Sequence, residues 1–191
     1  EEVPVDDVAY FRDLLDAREA DFCIDAARIF VTGLSNGGGM TNRLACEVSD
    51  RIAAIGTVAG AYTEFPGGCQ PERPVPVIAF HGVVDPIVPY EGSEQINFPA
   101  IPDWAAGWAA RNGCDPDPAS VEGTVGAVTG VHYTDCAADA DVIFYTIADG
   151  GHTWAGGTPL PAFLVGKTST DIDATATMWA FFQEHPLVAA E

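Results

Sequence analysis

Apolar residues along this chain gather in short unbroken runs, and longer stretches with helical spacing lie between them. Residues 28–32, 52–60, 74–81 and 141–147 are runs of strand length that contain β-branched side chains and lack polar alternation. Strands buried on both faces read this way. Ahead of the first run, Asp6 and Asp7 are cap candidates, and Val8, Phe11, Leu15 and Phe22 recur at i, i+3, i+7 and i+14, which predicts an amphipathic helix packed on the sheet. Met40 and Leu44 give a second helix its apolar face. Trp104 and Trp108 put an aromatic stripe on a third, over residues 101–112, that reads as core packing. Residues 121–128 and 131–133, parted by Thr129 and Gly130, predict a small antiparallel hairpin outside the main sheet. Residues 168–171 are read as the cap of a last helix, in which Ile172, Ala176 and Trp179 line one face and which ends before Pro186. Strands alternating with helices predict an α/β fold, a mainly parallel sheet flanked by helices, as one domain over residues 1–191.

Composition narrows the partners. The formal charge is -20 and Lys167 is the single lysine, so clustered cations for a phosphate backbone are missing and nucleic acid is not expected as a partner. No run of eighteen apolar residues is present, so no membrane span is expected. The acidic surface favours solubility, most of all where salt screens its self-repulsion. The five cysteines form no C-x-x-C pair and have no histidine at a zinc-ligand spacing, so no metal site is expected and disulfides are. Cys114 and Cys136 flank the hairpin, while Cys46 ends a helix and Cys69 follows the next strand, which pairs them in that order. Cys23 is left over. Disulfides imply an oxidising, extracellular location for a secreted protein.

Chemistry concentrates where strands end. In parallel sheets, sites form at the carboxyl ends of the strands. The first run leads into Gly33-Leu34-Ser35-Asn36-Gly37, a G-x-S-x-G pattern whose small residues permit a strained strand-to-helix turn with a serine at its apex. The pentapeptide alone is weak, because chance would produce it in about one such chain in twenty. Its context adds weight. The third run ends in His81-Gly82-Val83-Val84-Asp85-Pro86, and the fourth in Asp149-Gly150-Gly151-His152-Thr153-Trp154. These ends supply a nucleophile, an acid and a base in the order Ser35, Asp85, His152, with Asp149 the nearest competitor as the acid. A serine hydroxyl needs an adjacent imidazole to take its proton, and the carboxylate sets that imidazole's tautomer. The backbone N–H of Asn36, the residue after the serine, is placed to donate to a developing oxyanion. Trp154 is a candidate surface for an aromatic substrate group. His81 is read as closing its strand, and His132 and His185 as surface residues.

The motifs Gly33-Leu34-Ser35-Asn36-Gly37-Gly38-Gly39-Met40, His81-Gly82 through Asp85-Pro86-Ile87-Val88-Pro89-Tyr90, and Gly150-Gly151-His152-Thr153-Trp154 together resemble the polyhydroxybutyrate depolymerase and feruloyl esterase group of α/β-hydrolases. The resemblance covers nearly the whole chain. It implies a secreted serine esterase that uses Ser35, Asp85 and His152 without cofactor or metal. Its substrates would be polyesters, or feruloyl and acetyl esters of plant polysaccharides. Cys46, Cys69, Cys114 and Cys136 are similar to the group's disulfide positions, and Ala155 stands where a proline is usual. Members of the group carry further strands and a His-Gly loop before the helix at which this sequence starts, so the fold is expected to be N-terminally truncated. That loop supplies the second oxyanion donor. Without those strands, residues 28–32 lie near an open edge that invites a homodimer, and Cys23 lacks a partner. Two further readings stay open: a non-catalytic remnant or fragment acting as a binding module, and a serine peptidase with the same triad.

Overall fold

The computed structural model describes residues 5–187. Eleven helices and strands follow in chain order: α1 (Asp7–Asp21), β1 (Phe30–Leu34), α2 (Asn36–Glu47), β2 (Ala54–Val58), β3 (Val77–Gly82), α3 (Ile101–Arg111), β4 (Ala119–Ser120), β5 (Val128–Tyr133), β6 (Val142–Ile147), α4 (Ala162–Val165) and α5 (Ala174–Glu184). The strands form one sheet in the order β1-β2-β3-β6-β5-β4. β1, β2, β3 and β6 run parallel, as the unbroken apolar runs predict.

Two cores sandwich this sheet, because successive side chains of a strand point to opposite faces. Val77 and Ala79 of β3 join Leu44, Ala45, Trp104 and Trp108 under α2 and α3. Ile78 and Phe80 of the same strand join Met178, Phe181 and Phe182 of α5. Gly56, mid-strand in β2, leaves the space that Met178 fills: a Cβ there would stand 2.3 Å from its sulfur.

Several elements depart from the sequence reading. The first strand begins at Phe30 rather than at residue 28, because Asp25 caps a 3-10 turn at Ala26–Arg28 and pairs with Arg28. The expected hairpin is instead part of the main sheet. β5 runs straight through Thr129 and Gly130 and pairs antiparallel with β6 along its whole length, and its outer partner is the two-residue β4. Cross-strand hydrogen bonds to β6 outweigh the local turn signal of a Thr-Gly pair. The last helix is capped by Asp173, whose side chain accepts from the Ala176 N–H, and not by residues 168–171. Its inner face is Ala174, Met178, Phe181 and Phe182, whereas Ala176 and Trp179 are exposed and Ile172 precedes the helix.

Helix α1 buries Val8 and packs Phe11 partly on the core, while Phe22 lies beyond its end and is exposed. Ion pairs do much of the anchoring: Arg12 to Asp50, and Arg51 to Asp16 and Glu19. The two tryptophans of α3 do more than fill space. Both indole N–H groups donate to one atom, Oδ1 of buried Asn42 on α2, at 3.0 and 2.9 Å. This ties α3 to the helix that follows Ser35. Farther on, the Asn112 side chain bonds both backbone groups of Val75 and the carbonyl of Ala140, joining the ends of α3, β3 and β6.

Asn42→Leu will leave two buried indole donors unpaired and lower stability by about 2–4 kcal/mol, measured by urea unfolding.

Candidate active site

The four parallel strands deliver three loops to one edge of the sheet. β1 leads directly into Ser35, the N-cap of α2, which has φ 58° and ψ -123°. A non-glycine residue with positive φ stores backbone strain, about 1–3 kcal/mol for such positions. Close approach holds the turn on three sides. A Cβ on Gly33 would lie 2.2 Å from the Gly37 carbonyl carbon, one on Gly38 2.7 Å from Gly60 Cα, and one on Gly39 2.3 Å from the Ala61 oxygen. Gly37 itself faces open space, so in the pentapeptide it is Gly33 whose missing side chain lets strand and helix cross. The Ser35 carbonyl accepts from Gly39 and Ala61, and its N–H donates to Val58. The backbone N–H of Asn36 is one of the free donors at the start of α2. A Ser35 Oγ hydrogen bond to His152 is absent among the described residues.

Asp85 and His152 meet directly. His152 Nδ1 donates to Asp85 Oδ2 at 2.8 Å, with both residues buried, which leaves Nε2 as the free imidazole nitrogen. The other carboxylate oxygen of Asp85 accepts from the backbone N–H groups of Ile87 and Val88, each at 2.8 Å. Burial pushes the Asp85 carboxyl up, but the bonds from His152, Val88 and Ile87 together hold it below the usual carboxylate value. Asp149, the competing acid, is turned away to Lys167 at 2.5 Å.

His81 lies beneath this pair. Its Nε2 donates to the Val88 carbonyl at 3.0 Å and stands 3.5 Å from Asp85 Oδ2, while its Nδ1 is buried without a partner. Burial lowers its pKa against the opposing pull of Val88 and Asp85, so the ring is neutral at neutral pH. Elsewhere, His132 is half-buried and bonded to Asp141 at 2.7 Å, and His185 is half-buried and bonded to the Phe181 carbonyl, both away from the Asp85–His152 pair. Trp154 gives its indole N–H to Thr175 and packs with the α5 core, which commits much of the ring to the fold.

The loop bearing His152 is strapped by residues 165–167. His152 N–H donates to the Val165 carbonyl, and Gly151 N–H and Thr153 Oγ1 donate to that of Lys167. Disulfides join Cys46 to Cys69 and Cys114 to Cys136, and Cys23 is unpaired and exposed among the described residues. A cavity of about 660 Å³ opens beside α2, between Tyr62, Phe65, Phe98 and Trp104. Sequence patterns did not point to it, because its walls come from loops far apart in the chain. No helix among the described residues is long and apolar enough to cross a membrane.

No family model matches the chain. Feruloyl esterase C of Emericella nidulans is 33% identical over 182 residues, covering 93% of this chain and 57% of that protein. Feruloyl esterase B of Piromyces equi is 33% identical over 157 residues, covering 77% of this chain and 29% of that protein. The chain thus spans little more than half of the first relative and under a third of the second. Among solved structures, acetyl xylan esterase from Aspergillus awamori superposes with a TM-score of 0.56 at 17% identity, over 91% of this chain and 66% of that one, a likeness of fold.

Because His81 is held neutral, the unfolded chain takes up a proton near the ordinary histidine value of 6.5 that the folded chain resists. Its contribution is therefore complete above that pH and is lost as pH falls below it toward the lowered folded value. His81→Asn will flatten the fall in melting temperature between neutral and mildly acidic pH, read by circular dichroism.

Proposed function

We propose, for a chain that is related to the feruloyl esterases and shares the α/β-hydrolase fold, that it is a serine carboxylic-ester hydrolase with Ser35 as nucleophile, His152 as base and Asp85 as the acid that orients it. One observation carries the reading: the buried His152–Asp85 bond at 2.8 Å, on the sheet edge that also bears the strained Ser35 turn.

The chemistry follows from the atoms available. Ser35 Oγ attacks the ester carbonyl carbon while its proton passes to His152 Nε2, and the Ser–His contact tightens as substrate seats. The Asn36 N–H donates to the resulting oxyanion. The bond to the alcohol then breaks, His152 returns the proton to the departing oxygen, and an acyl-serine remains. Water, deprotonated by the same nitrogen, attacks the acyl carbon; the bond to Ser35 Oγ then breaks as His152 Nε2 returns that proton to Oγ, which releases the acid and restores the serine hydroxyl. Asp85, ionised throughout, keeps Nδ1 protonated and stabilises the imidazolium between steps.

Substrates are esters of a polymer or of an aromatic acid, and the two disulfides suit a secreted protein in an oxidising compartment. A second reading, an interaction role, rests on the sheet edge. β1 has one neighbour, β2, and its residues are half-buried or exposed where those of β2 and β3 are buried throughout. Such an edge suits pairing with a second copy.

Wild-type protein will hydrolyse a short p-nitrophenyl ester with an initial burst, and Ser35→Ala will reduce the rate to background; equal rates for the two exclude the nucleophile. Asp85→Asn will lower kcat by several orders of magnitude through the wrong imidazole tautomer. Dimerisation through β1 predicts a sedimentation coefficient that rises with protein concentration.

A further inference from the structure

Asp85 sits on a turn that brings its carboxylate back over the end of its own strand. The turn closes on one residue, Val88, which is held by both of its backbone groups. The Val88 N–H donates to Asp85 Oδ1 at 2.8 Å, beside that of Ile87, and the Val88 carbonyl accepts from His81 Nε2 at 3.0 Å. A carbonyl only accepts, so this bond places the one proton of the neutral His81 ring on Nε2. The same nitrogen stands 3.5 Å from Asp85 Oδ2, the oxygen that His152 Nδ1 reaches at 2.8 Å. Two imidazoles thus flank a single carboxylate oxygen, and both are buried.

An imidazolium needs acceptors for two N–H groups. His81 has Val88 at Nε2, but its Nδ1 is buried with no protein acceptor among the described residues. The groups that face the ring are Asp85, His152, the Tyr90 ring at 6.1 Å between centroids, and Thr146 on the neighbouring strand β6, whose hydroxyl is bonded to that of Tyr90. None of them accepts from Nδ1. A second proton on His81 would therefore be an unpaired buried donor, and the cation would lie against the oxygen that has to stabilise His152. Burial disfavours the charged ring as well.

We propose, resting on the ester-hydrolase reading above, that His81 is a positioning residue: through Val88 its neutral ring holds the Asp85 turn closed, and its unpartnered Nδ1 keeps it from competing with His152 for the charge of Asp85. With Oδ1 pinned by two amides, Oδ2 is left facing His152. When the Val88 carbonyl loses its donor, the turn loosens and the carboxylate is free to rotate. The loss falls on the steps that form the imidazolium and not on substrate binding, because His81 is enclosed and 2% exposed.

Two measurements test this. In wild-type protein with isotopically labelled histidine nitrogens, two-bond proton–nitrogen correlations resolve the tautomer of each of the four histidines. His81 will stay neutral, with its proton on Nε2, while His152 takes up its second proton. A His81 that becomes cationic before or together with His152, or that carries its proton on Nδ1, overturns the proposal, and this spectrum needs no variant to fold. The second measurement compares His81→Leu, which removes the donor, with His81→Gln, whose amide N–H reaches the same carbonyl and cannot become cationic. In His81→Leu, held well below its measured melting temperature, the downfield proton resonance of His152 Nδ1–H will broaden or vanish. Its kcat on p-nitrophenyl acetate will fall about tenfold or more, with KM within about twofold of wild type. His81→Gln will keep the resonance and recover most of kcat. Folded His81→Leu protein with the wild-type resonance and kcat overturns the proposal, as does a loss in His81→Gln as deep as in His81→Leu. The resonance is read in the resting protein, so wild type that shows it, loses it with His81→Leu and yet hydrolyses no ester overturns the catalytic reading while upholding the hold of His81 on Asp85.

Discussion

A backbone crossing too tight for a side chain underlies the candidate site. Where β1 turns into α2, Gly33 lies against Gly37, Gly38 against Gly60, and Gly39 against Ala61. These contacts pin Ser35 at φ 58°, a conformation that an unsupported serine would relax. The strain is sustained because α2 is held elsewhere: by its apolar face on the sheet, by the disulfide from Cys46, and by Asn42 bonded to both tryptophans of α3. Stability in the core under α2 and α3 is thus converted into geometry at the sheet edge.

The same economy governs the ionisable groups. Burying a carboxylate is costly unless its lone pairs are satisfied, and Asp85 meets that condition with two backbone donors and one imidazole. His81 lies next to it as a neutral ring, so the site buries one compensated charge rather than several. Asp149, free to reach solvent, takes the one lysine instead. Outside this cluster the surface is strongly acidic, while residues 150–166, which include the histidine loop, contain no carboxylate.

Much of this was legible along the chain. Unbroken apolar runs predicted the parallel strands and the α/β fold. Polar residues at the run ends identified Ser35, Asp85 and His152 as candidates, because strand direction alone sends those ends to one edge. The similarity to feruloyl esterases was visible in the same motifs. What went astray did so where a local signal met a distant partner. Thr129 and Gly130 read as a turn, yet β6 draws both into a strand. Ile172, Ala176 and Trp179 matched a helical spacing, but the face that packs on the sheet is set by where Asp173 starts α5.

By itself, then, the amino-acid order determined the alternation of elements, the small residues that a sharp turn at Ser35 requires, and the charge balance of the surface, since all of these depend on neighbours a few positions apart. Tertiary structure decided which of two aspartates meets His152 across 67 positions, which face of α5 turns inward, and that one asparagine amide oxygen serves two tryptophans. Those outcomes depend on contacts between segments that packing alone brings together, and no periodicity within any one segment encodes them.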